Sequence, residues 1–318
     1  MSLISVNEAA ARLRAGNVVA IPTETVYGLA GRIDDESALK QIFHVKERPF
    51  FDPLIVHVAE VPQARRLARE WPEIFAVLTE AFWPGPLTLV TAKTEAISPL
   101  ITSGLDSVAL RCPRHPVALE LLREVGIPLA APSANRFGRT SPTRASHVEA
   151  EFEGKVAVVD GGPSEVGVES TVLSVEEGPV WKIHILRPGG VSRTEIHHIL
   201  SKAGFQFEIL RTPSPVAPGQ LKAHYQPSCP VVIVNQEAWT DGLKESAELA
   251  LNQKFTHVRA LPLGSSPQIA ARELYENFRD FSEIPGSLIV ALRTQANSGS
   301  EWEAIWDRIE RASSLQLN

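Results

Sequence analysis

Two cysteines in 318 residues, Cys112 and Cys229, cannot build a disulfide framework, so a reduced, cytoplasmic setting is expected. No apolar run approaches the length of a bilayer, so no membrane-spanning helix is expected. MSLISVNEAAARLRAG lacks the basic-then-apolar layout of a secretory signal, and Ser5-Val6-Asn7-Glu8 reads instead as a capping box. Positive charge is in short supply: 31 Lys and Arg face 37 Asp and Glu, for a net charge of -6. That balance argues against a protein that binds nucleic acid by neutralising phosphates over a broad surface. The sequence has no G-x-x-x-x-G-K-[ST], no G-x-G-x-x-G after its later strands and no G-x-S-x-G. It has neither C-x-x-C nor H-E-x-x-H, and its nine histidines lack ligand spacing, so no metal-ligating residue is assigned.

What is present is a chain of two textures. Short Val/Ile/Leu-rich runs at 17–21, 53–58, 86–90, 107–111, 128–131, 155–159, 170–175 and 181–186 read as strands. DESALKQIFHVK, PEIFAVLTEAF, PVALELLREV and SRTEIHHIL carry the i, i+3, i+4 spacing of helices. Strands and helices do not alternate strictly, which predicts an α/β sheet that is at least partly antiparallel. Residues 211–230 hold five prolines and no periodicity, the composition of an extended linker, although His224-Tyr225-Gln226-Pro227 is more polar-aromatic than a spacer needs. After it, three strand–helix units in about 90 residues predict a small parallel, Rossmann-like domain. The expected division is 1–210, linker 211–230, and 231–318.

Polar groups gather at particular strand ends. PTETVYGL (22–29) follows the first strand and offers hydroxyls and a carboxylate at its edge, where ligands bind in open α/β sheets. Lys46 and Arg48 close a helix before Pro49, a place that equally suits bases complementing the helix dipole. Both are expected at the surface there, so that removing either would leave the fold intact. His57 lies inside an apolar strand, where a satisfied core histidine is the commoner outcome. Arg111 ends a strand and is suited either to clamping a carboxylate or to a surface ion pair. APSANRFGRTSPT reads as a long loop rich in turn residues. Ser107, Ser141 and Arg187 say little individually. Together, Lys46 and Arg48 with Ser133 and Asn135 form the donor set needed to hold a polyphosphate and direct attack at phosphorus.

In this order the motifs resemble the YrdC-type threonylcarbamoyl-AMP synthase family in its long two-domain form. The resemblance runs through PTETVYGLAG, KERP with DPLIVH, FWPGPLTLV, R-C-P, PSANRFG, ESTV and RPG to HYQP. It implies a twisted mixed YrdC-like sheet with flanking helices, followed by the linker and the Rossmann-like domain. It implies condensation of L-threonine, bicarbonate and ATP to threonylcarbamoyl-adenylate and pyrophosphate, for N6-threonylcarbamoyladenosine beside the tRNA anticodon. Carried over by resemblance, Lys46, Arg48, Ser133 and Asn135 hold ATP and its Mg²⁺-bound phosphates and do the catalytic work. Asp52, Ser107, Ser141 and Arg187 lie on the nucleotide side, and Tyr225 covers the nucleotide. Thr25, His57, Arg111, Ala131 and Ser170 hold L-threonine. Position 52 is Asp where the family pattern has Asn or His, and a carboxylate there repels phosphate unless a metal or Lys46 neutralises it. The expected partners are the substrates and a downstream threonylcarbamoyl-transferase, with tRNA contacted weakly or indirectly. The alternative reading is a non-catalytic RNA-binding module with a cationic cleft. A carbamoyl-phosphate-dependent relative would need further cysteines for zinc fingers.

Overall fold

Asp35 opens the helix Glu36–Lys46, its Oδ1 accepting from Ser37 N (2.9 Å) and Ala38 N (3.2 Å). Glu47 closes that helix in the left-handed region, at φ 53°. Ser5 caps the helix Val6–Arg14 through Glu8 N, but the Glu8 carboxylate bonds Arg12 instead of completing a capping box. These caps satisfy amides that a helix start leaves orphaned.

The protein, seen in a computed structural model, is described over residues 3–212, 224–236, 238–264 and 266–317. It forms two compact units, Met1–Phe137 with Ser141–Gln220, and Gly138–Thr140 with Leu221–Asn318. Most of the expected linker, residues 213–223, lies outside the described residues. Among the described residues no helix is long and apolar enough to cross a membrane.

The first unit is built on β1 (Val19–Ile21), β2 (Gly28–Arg32), β3 (Ile55–His57), β4 (Leu87–Ala92), β5 (Ser107–Arg111), β6 (Leu129–Ala130), β7 (Thr171–Glu176), β8 (Trp181–Arg187) and β9 (Phe207–Arg211). Their order across the sheet is β1-β2-β6-β3-β5-β4-β7-β8-β9. Pairings are mixed: β3 with β5, β4 with β7 and β8 with β9 run parallel, the others antiparallel. One face carries Leu29, Val56, Leu89, Leu110, Leu173 and Ile183 into the main core with Leu39, Phe43, Phe75 and Leu78 from helices. At the β1 end, Val19, Ile21 and Leu129 pack on Ala9, Leu13, Leu121 and Leu122.

Two strand expectations differ from the structure. KVAVV forms no strand; Val158 makes isolated bridges to Leu3 and Ala20. GLAGR, which is not among the expected strands, is β2, buried from Gly28 to Gly31. Its small residues serve packing: a Cβ on Gly31 would meet Ile42 at 3.1 Å, and one on Gly28 would meet Ala131 at 3.2 Å.

The second unit holds β10 (Val231–Val234), β11 (His257–Ala260), β12 (Ser287–Leu292) and β13 (Leu315–Leu317), all parallel, in the order β11-β12-β10-β13. Val232, Val234, Leu288 and Val290 pack with Ala247 and Phe255. This is the expected small parallel α/β arrangement, with β13 as an added edge.

Candidate functional site

Side chains alternate across a strand, so one register fixes one face. In β5, Ser107, Ala109 and Arg111 share a face. Parallel register sets Ile55 beside Ala109 and His57 beside Arg111. Antiparallel register sets Val90 beside Ala109. Ile55, Ala109 and Val172 form a small apolar cluster here, with Val90 and Leu186. A cavity of about 370 Å³ lies along this face, lined in part by Pro53, Val90, Ser107, Ala109, Ser174 and Leu186. Ser107 and Arg111 are four residues apart, about 13 Å at strand rise. The face therefore has a Ser107 end, with Pro53 beside it, and an Arg111 end.

At the Arg111 end three buried polar groups meet. Arg111 Nη2 donates to Glu24 Oε1 at 2.7 Å, and both side chains are nearly inaccessible, at 4% and 1% exposure. Arg111 Nε donates to Gly85 O (3.3 Å), and Glu24 Oε2 accepts from Arg114 N (3.1 Å). Burial pushes the Glu24 carboxyl up, but the Arg111 guanidinium outweighs it by charge and hydrogen bond and holds the group ionised below its ordinary value. The alternative of a surface ion pair for Arg111 is therefore corrected: the pair is interior. His57 is buried beside it, and its Nδ1 has no hydrogen-bond partner among the described residues. Burial and the Arg111 charge press its pKa down to about 3, so His57 is neutral at physiological pH. Thr25 stands on the same turn as Glu24, its Oγ1 2.9 Å from Thr23 Oγ1. Ala131, just past β6, donates its N–H to Ile55 O (3.1 Å).

The depressed His57 has a stability consequence. An unfolded histidine binds its proton near pH 6.5, and folded His57 does not until about 3. The unfolded state thus binds more protons as pH falls below 6.5, and stability falls with it. Unfolding free energy is expected to drop by about 2 kcal/mol between pH 7 and pH 5. His57→Asn should remove most of that slope in denaturant titrations. Glu24, also depressed, contributes only below its unfolded value of 4.5, outside this window.

The Lys46 and Ser133–Asn135 motifs do meet, 87 and 89 residues apart in sequence. Lys46 Nζ donates to the carbonyls of Ser133 and Asn135, while Phe137 N donates back to Lys46 O at 2.8 Å. Lys46 is 1% exposed, and burial with the nearby Arg48 charge sets its pKa well below the ordinary lysine value. Arg48 donates to Asp52 O (3.1 Å) and Pro53 O (2.8 Å) and pairs with the Asp52 carboxylate at 2.9 Å. Arg48 and Asp52 are 7% and 5% exposed. One expectation is corrected by this and one extended. Lys46 and Arg48 end the helix but are not surface residues: the Ser133–Phe137 loop covers Lys46, and the turn to Asp52 and Pro53 covers Arg48. Asp52 is paired with Arg48, and the Lys46 charge acts on it as well. Among the described residues no group of three or more His, Cys, Asp or Glu is arranged to hold a metal.

Ser141, Ser170 and Arg187 form a third group. Ser141 Oγ donates to Glu169 Oε1 (2.6 Å). Arg187 donates to Ser170 O (3.0 Å) and Ser170 Oγ (3.2 Å), and Ser170 Oγ lies 2.7 Å from Thr88 Oγ1. Arg187, assigned to the nucleotide side, thus sits directly against Ser170, assigned to threonine.

Tyr225 belongs to the second unit. It is 1% exposed, adopts φ 63°, stacks on Tyr275 (5.7 Å) and lies under the Arg308 guanidinium (5.3 Å). Gly138–Thr140, which continue the Ser133–Asn135 loop, are held there too: Gln226 N donates to Gly138 O, Thr140 Oγ1 to Tyr225 O, and Arg279 to Thr140 O.

Thr88 and Glu169 bond the candidate site residues Ser170 and Ser141 and were not selected by motif reading, while Glu24 was noted only as the carboxylate of its turn, without a role. Each role is found only through a partner distant in sequence. The one available signal was a carboxylate in a turn otherwise made of hydroxyls.

The family model described as "Telomere recombination" matches residues 11–189, and that of the threonylcarbamoyl-AMP synthase C-terminal domain matches 191–314. Threonylcarbamoyl-AMP synthase of Bacillus subtilis is 38% identical over 89% of this chain and 86% of its own length. That of Pyrococcus abyssi is 40% identical over 92% of this chain and 85% of its own. A crystal structure of P. abyssi Sua5 with L-threonine is 36% identical, covers 98% of this chain and 96% of its own, and superposes with a TM-score of 0.85. Two matched models end to end and relatives of this identity across nearly the whole chain show that it belongs to the Sua5/YciO/YrdC family, in the two-part form that carries the threonylcarbamoyl-AMP synthase C-terminal domain.

Proposed function

We propose that this protein is an L-threonylcarbamoyladenylate synthase, a nucleotidyltransferase that joins L-threonine, bicarbonate and ATP and releases pyrophosphate. The observation that carries this reading is the likeness, through both units, to threonylcarbamoyl-AMP synthases and to a structure of one with L-threonine. The reaction asks for no protein nucleophile. The threonine amine and bicarbonate give a carbamate with loss of water. A carbamate oxygen then attacks the α-phosphorus, the bond to the β-phosphate breaks, and pyrophosphate leaves. The protein must hold two anionic reactants in line and screen their charge.

The open sheet face supports a partial division of labour: Arg48, Asp52 and Ser107 stand at its Ser107 end, while Arg187 lies against Ser170 at the Arg111 end, where nucleotide and amino acid would meet. Thr25, His57, Arg111, Ala131 and Ser170 serve L-threonine at the Arg111 end. Arg111 presents Nη1 to the carboxylate, since Nε and Nη2 are held by Gly85 and Glu24. Neutral His57 offers an uncommitted nitrogen to a polar group of the amino acid. Lys46, Arg48, Asp52, Ser107, Ser133, Asn135, Ser141 and Arg187 serve ATP. Lys46 and Arg48 shape the two loops that would border the phosphates. The nearby carboxylates Asp52 and Glu169 are engaged by Arg48 and Ser141, so the donor set does not fit a protein-held metal. Mg²⁺ belongs to this reading as a counterion on the phosphate oxygens of ATP. The adenylate would pass to a threonylcarbamoyl-transferase acting beside the tRNA anticodon.

The test is pyrophosphate release from the purified protein with ATP, Mg²⁺ and bicarbonate, with and without L-threonine. Threonine-dependent release, with threonylcarbamoyl-adenylate identified by mass spectrometry, is expected. Release that ignores threonine, or none at all, would count against the assignment.

A further inference from the structure

We infer that Glu24 is a positioning residue for L-threonine: its buried carboxylate fixes the Arg111 fork so that one guanidinium edge, and no other, faces the amino acid. This rests on the proposed threonine site. It adds a residue that touches Arg111 and that none of the motifs had assigned.

A guanidinium has five N–H donors in a rigid plane, and its direction is set by whichever acceptors it meets. Arg111 meets two. Gly85 O takes Nε at 3.3 Å, and Glu24 Oε1 takes Nη2 at 2.7 Å. Two acceptors on one planar group define both its position and its tilt. Neither acceptor is free to drift. Gly85 N donates to Cys112 O (2.8 Å), and a Cβ at Gly85 would stand 2.5 Å from Phe82 O, so this backbone sits in a closely fitted turn. Glu24 is held at its second oxygen by Arg114 N (3.1 Å), and its own carbonyl accepts from Val166 N (2.8 Å). PTET, FWPG and RCPR, three stretches with no evident common purpose in sequence, therefore converge on the orientation of one side chain.

Glu24 also decides the charge there. With His57 neutral, the carboxylate cancels the Arg111 cation, and the buried cluster as a whole carries no net charge. A zwitterionic amino acid suits such a pocket, since no uncompensated ion is buried before or after it binds.

Two effects oppose each other when the carboxylate is removed, and this makes the inference testable. If Glu24 mainly positions Arg111, Glu24→Gln lets the fork swing and weakens threonine binding. If it mainly dampens the arginine's charge, Glu24→Gln exposes more positive charge and tightens binding of a carboxylate. The experiment is calorimetric titration of wild type, Glu24→Gln and Glu24→Asp with L-threonine, and separately with ATP and Mg²⁺. In Glu24→Gln, threonine affinity is expected to fall roughly tenfold to a hundredfold, as for loss of a hydrogen bond between charged groups, with ATP affinity within about twofold of wild type. Glu24→Asp keeps the charge one methylene short and is expected to recover part of the loss. Unchanged or tighter threonine binding in Glu24→Gln overturns the inference. So does equal loss of both ligands in a folded variant, because that is a global effect. If Glu24→Gln does not fold, Glu24→Asp decides by the same comparison of the two ligands. Wild type that binds no L-threonine overturns the functional reading itself, a result distinct from failure in the variants alone.

Discussion

Replacing Arg48 with alanine is expected to abolish pyrophosphate release and also to lower unfolding stability by about 3–5 kcal/mol. The second half of that expectation comes from burial. Arg48 and Asp52 pair at 2.9 Å with 7% and 5% exposure, and Arg48 also donates to two backbone carbonyls. Removing the guanidinium takes the 2.9 Å ion pair from the buried Asp52 carboxylate and a hydrogen bond from the Pro53 carbonyl. Activity loss in Arg48→Ala alone would therefore say little about phosphate contact. The double variant Arg48→Met with Asp52→Leu separates the two effects. Replacing a buried pair by apolar groups of similar size is often close to neutral for stability. Urea unfolding should show most of the stability regained, while pyrophosphate release stays absent. Regained activity in the double variant would reduce Arg48 to a structural role. A stability change below about 1 kcal/mol in Arg48→Ala would instead mark the pair as solvent-screened.

Gly189→Ala should be as damaging, although no side chain at position 189 touches the site. An added Cβ would lie 2.3 Å from Ser170 C, 2.4 Å from Glu169 O and 2.4 Å from Thr171 N. All three are backbone atoms and cannot rotate away. The strand ends must separate, which costs about 3 kcal/mol for overpacking in a well-fitted place. The displaced segment carries Ser170, which bonds Arg187 and Thr88, and Glu169, which bonds Ser141. A shift on the order of 1 Å in positioning groups commonly lowers turnover about 100-fold. The expected result is a lower melting temperature together with a fall in kcat. Gly204→Ala serves as the comparison: it is another loop glycine, its added Cβ meets nothing within 4 Å, and its φ of 81° supplies strain without a clash. It should lose stability with kcat unchanged. Wild-type kinetics in Gly189→Ala would show that the close approach is not needed for the site.

Much of the fold follows from local rules. The helices at 36–46, 73–82, 116–125 and 193–202 lie where apolar spacing predicts them, because each buries a single stripe. The Val/Ile-rich β10 and β12 of the second unit are equally plain, since they are buried along almost their whole length. β2 escaped notice because its Gly-Leu-Ala-Gly run is chosen for close packing and not for strand propensity. KVAVV reads as strand yet makes only single bridges, because apolar character reports burial and not ladder pairing.

For the site, sequence alone determined which residue types gather: a Lys-x-Arg, a Ser-x-Asn, a histidine in an apolar strand, an arginine at a strand end. Only the tertiary structure decided what each is bonded to. Lys46 is turned onto the Ser133–Asn135 carbonyls, Arg48 onto Asp52, and Arg111 onto a glutamate 87 positions away. The physical reason is that a charge entering the interior must find its partner there, and that partner is fixed by strand order and register rather than by distance along the chain.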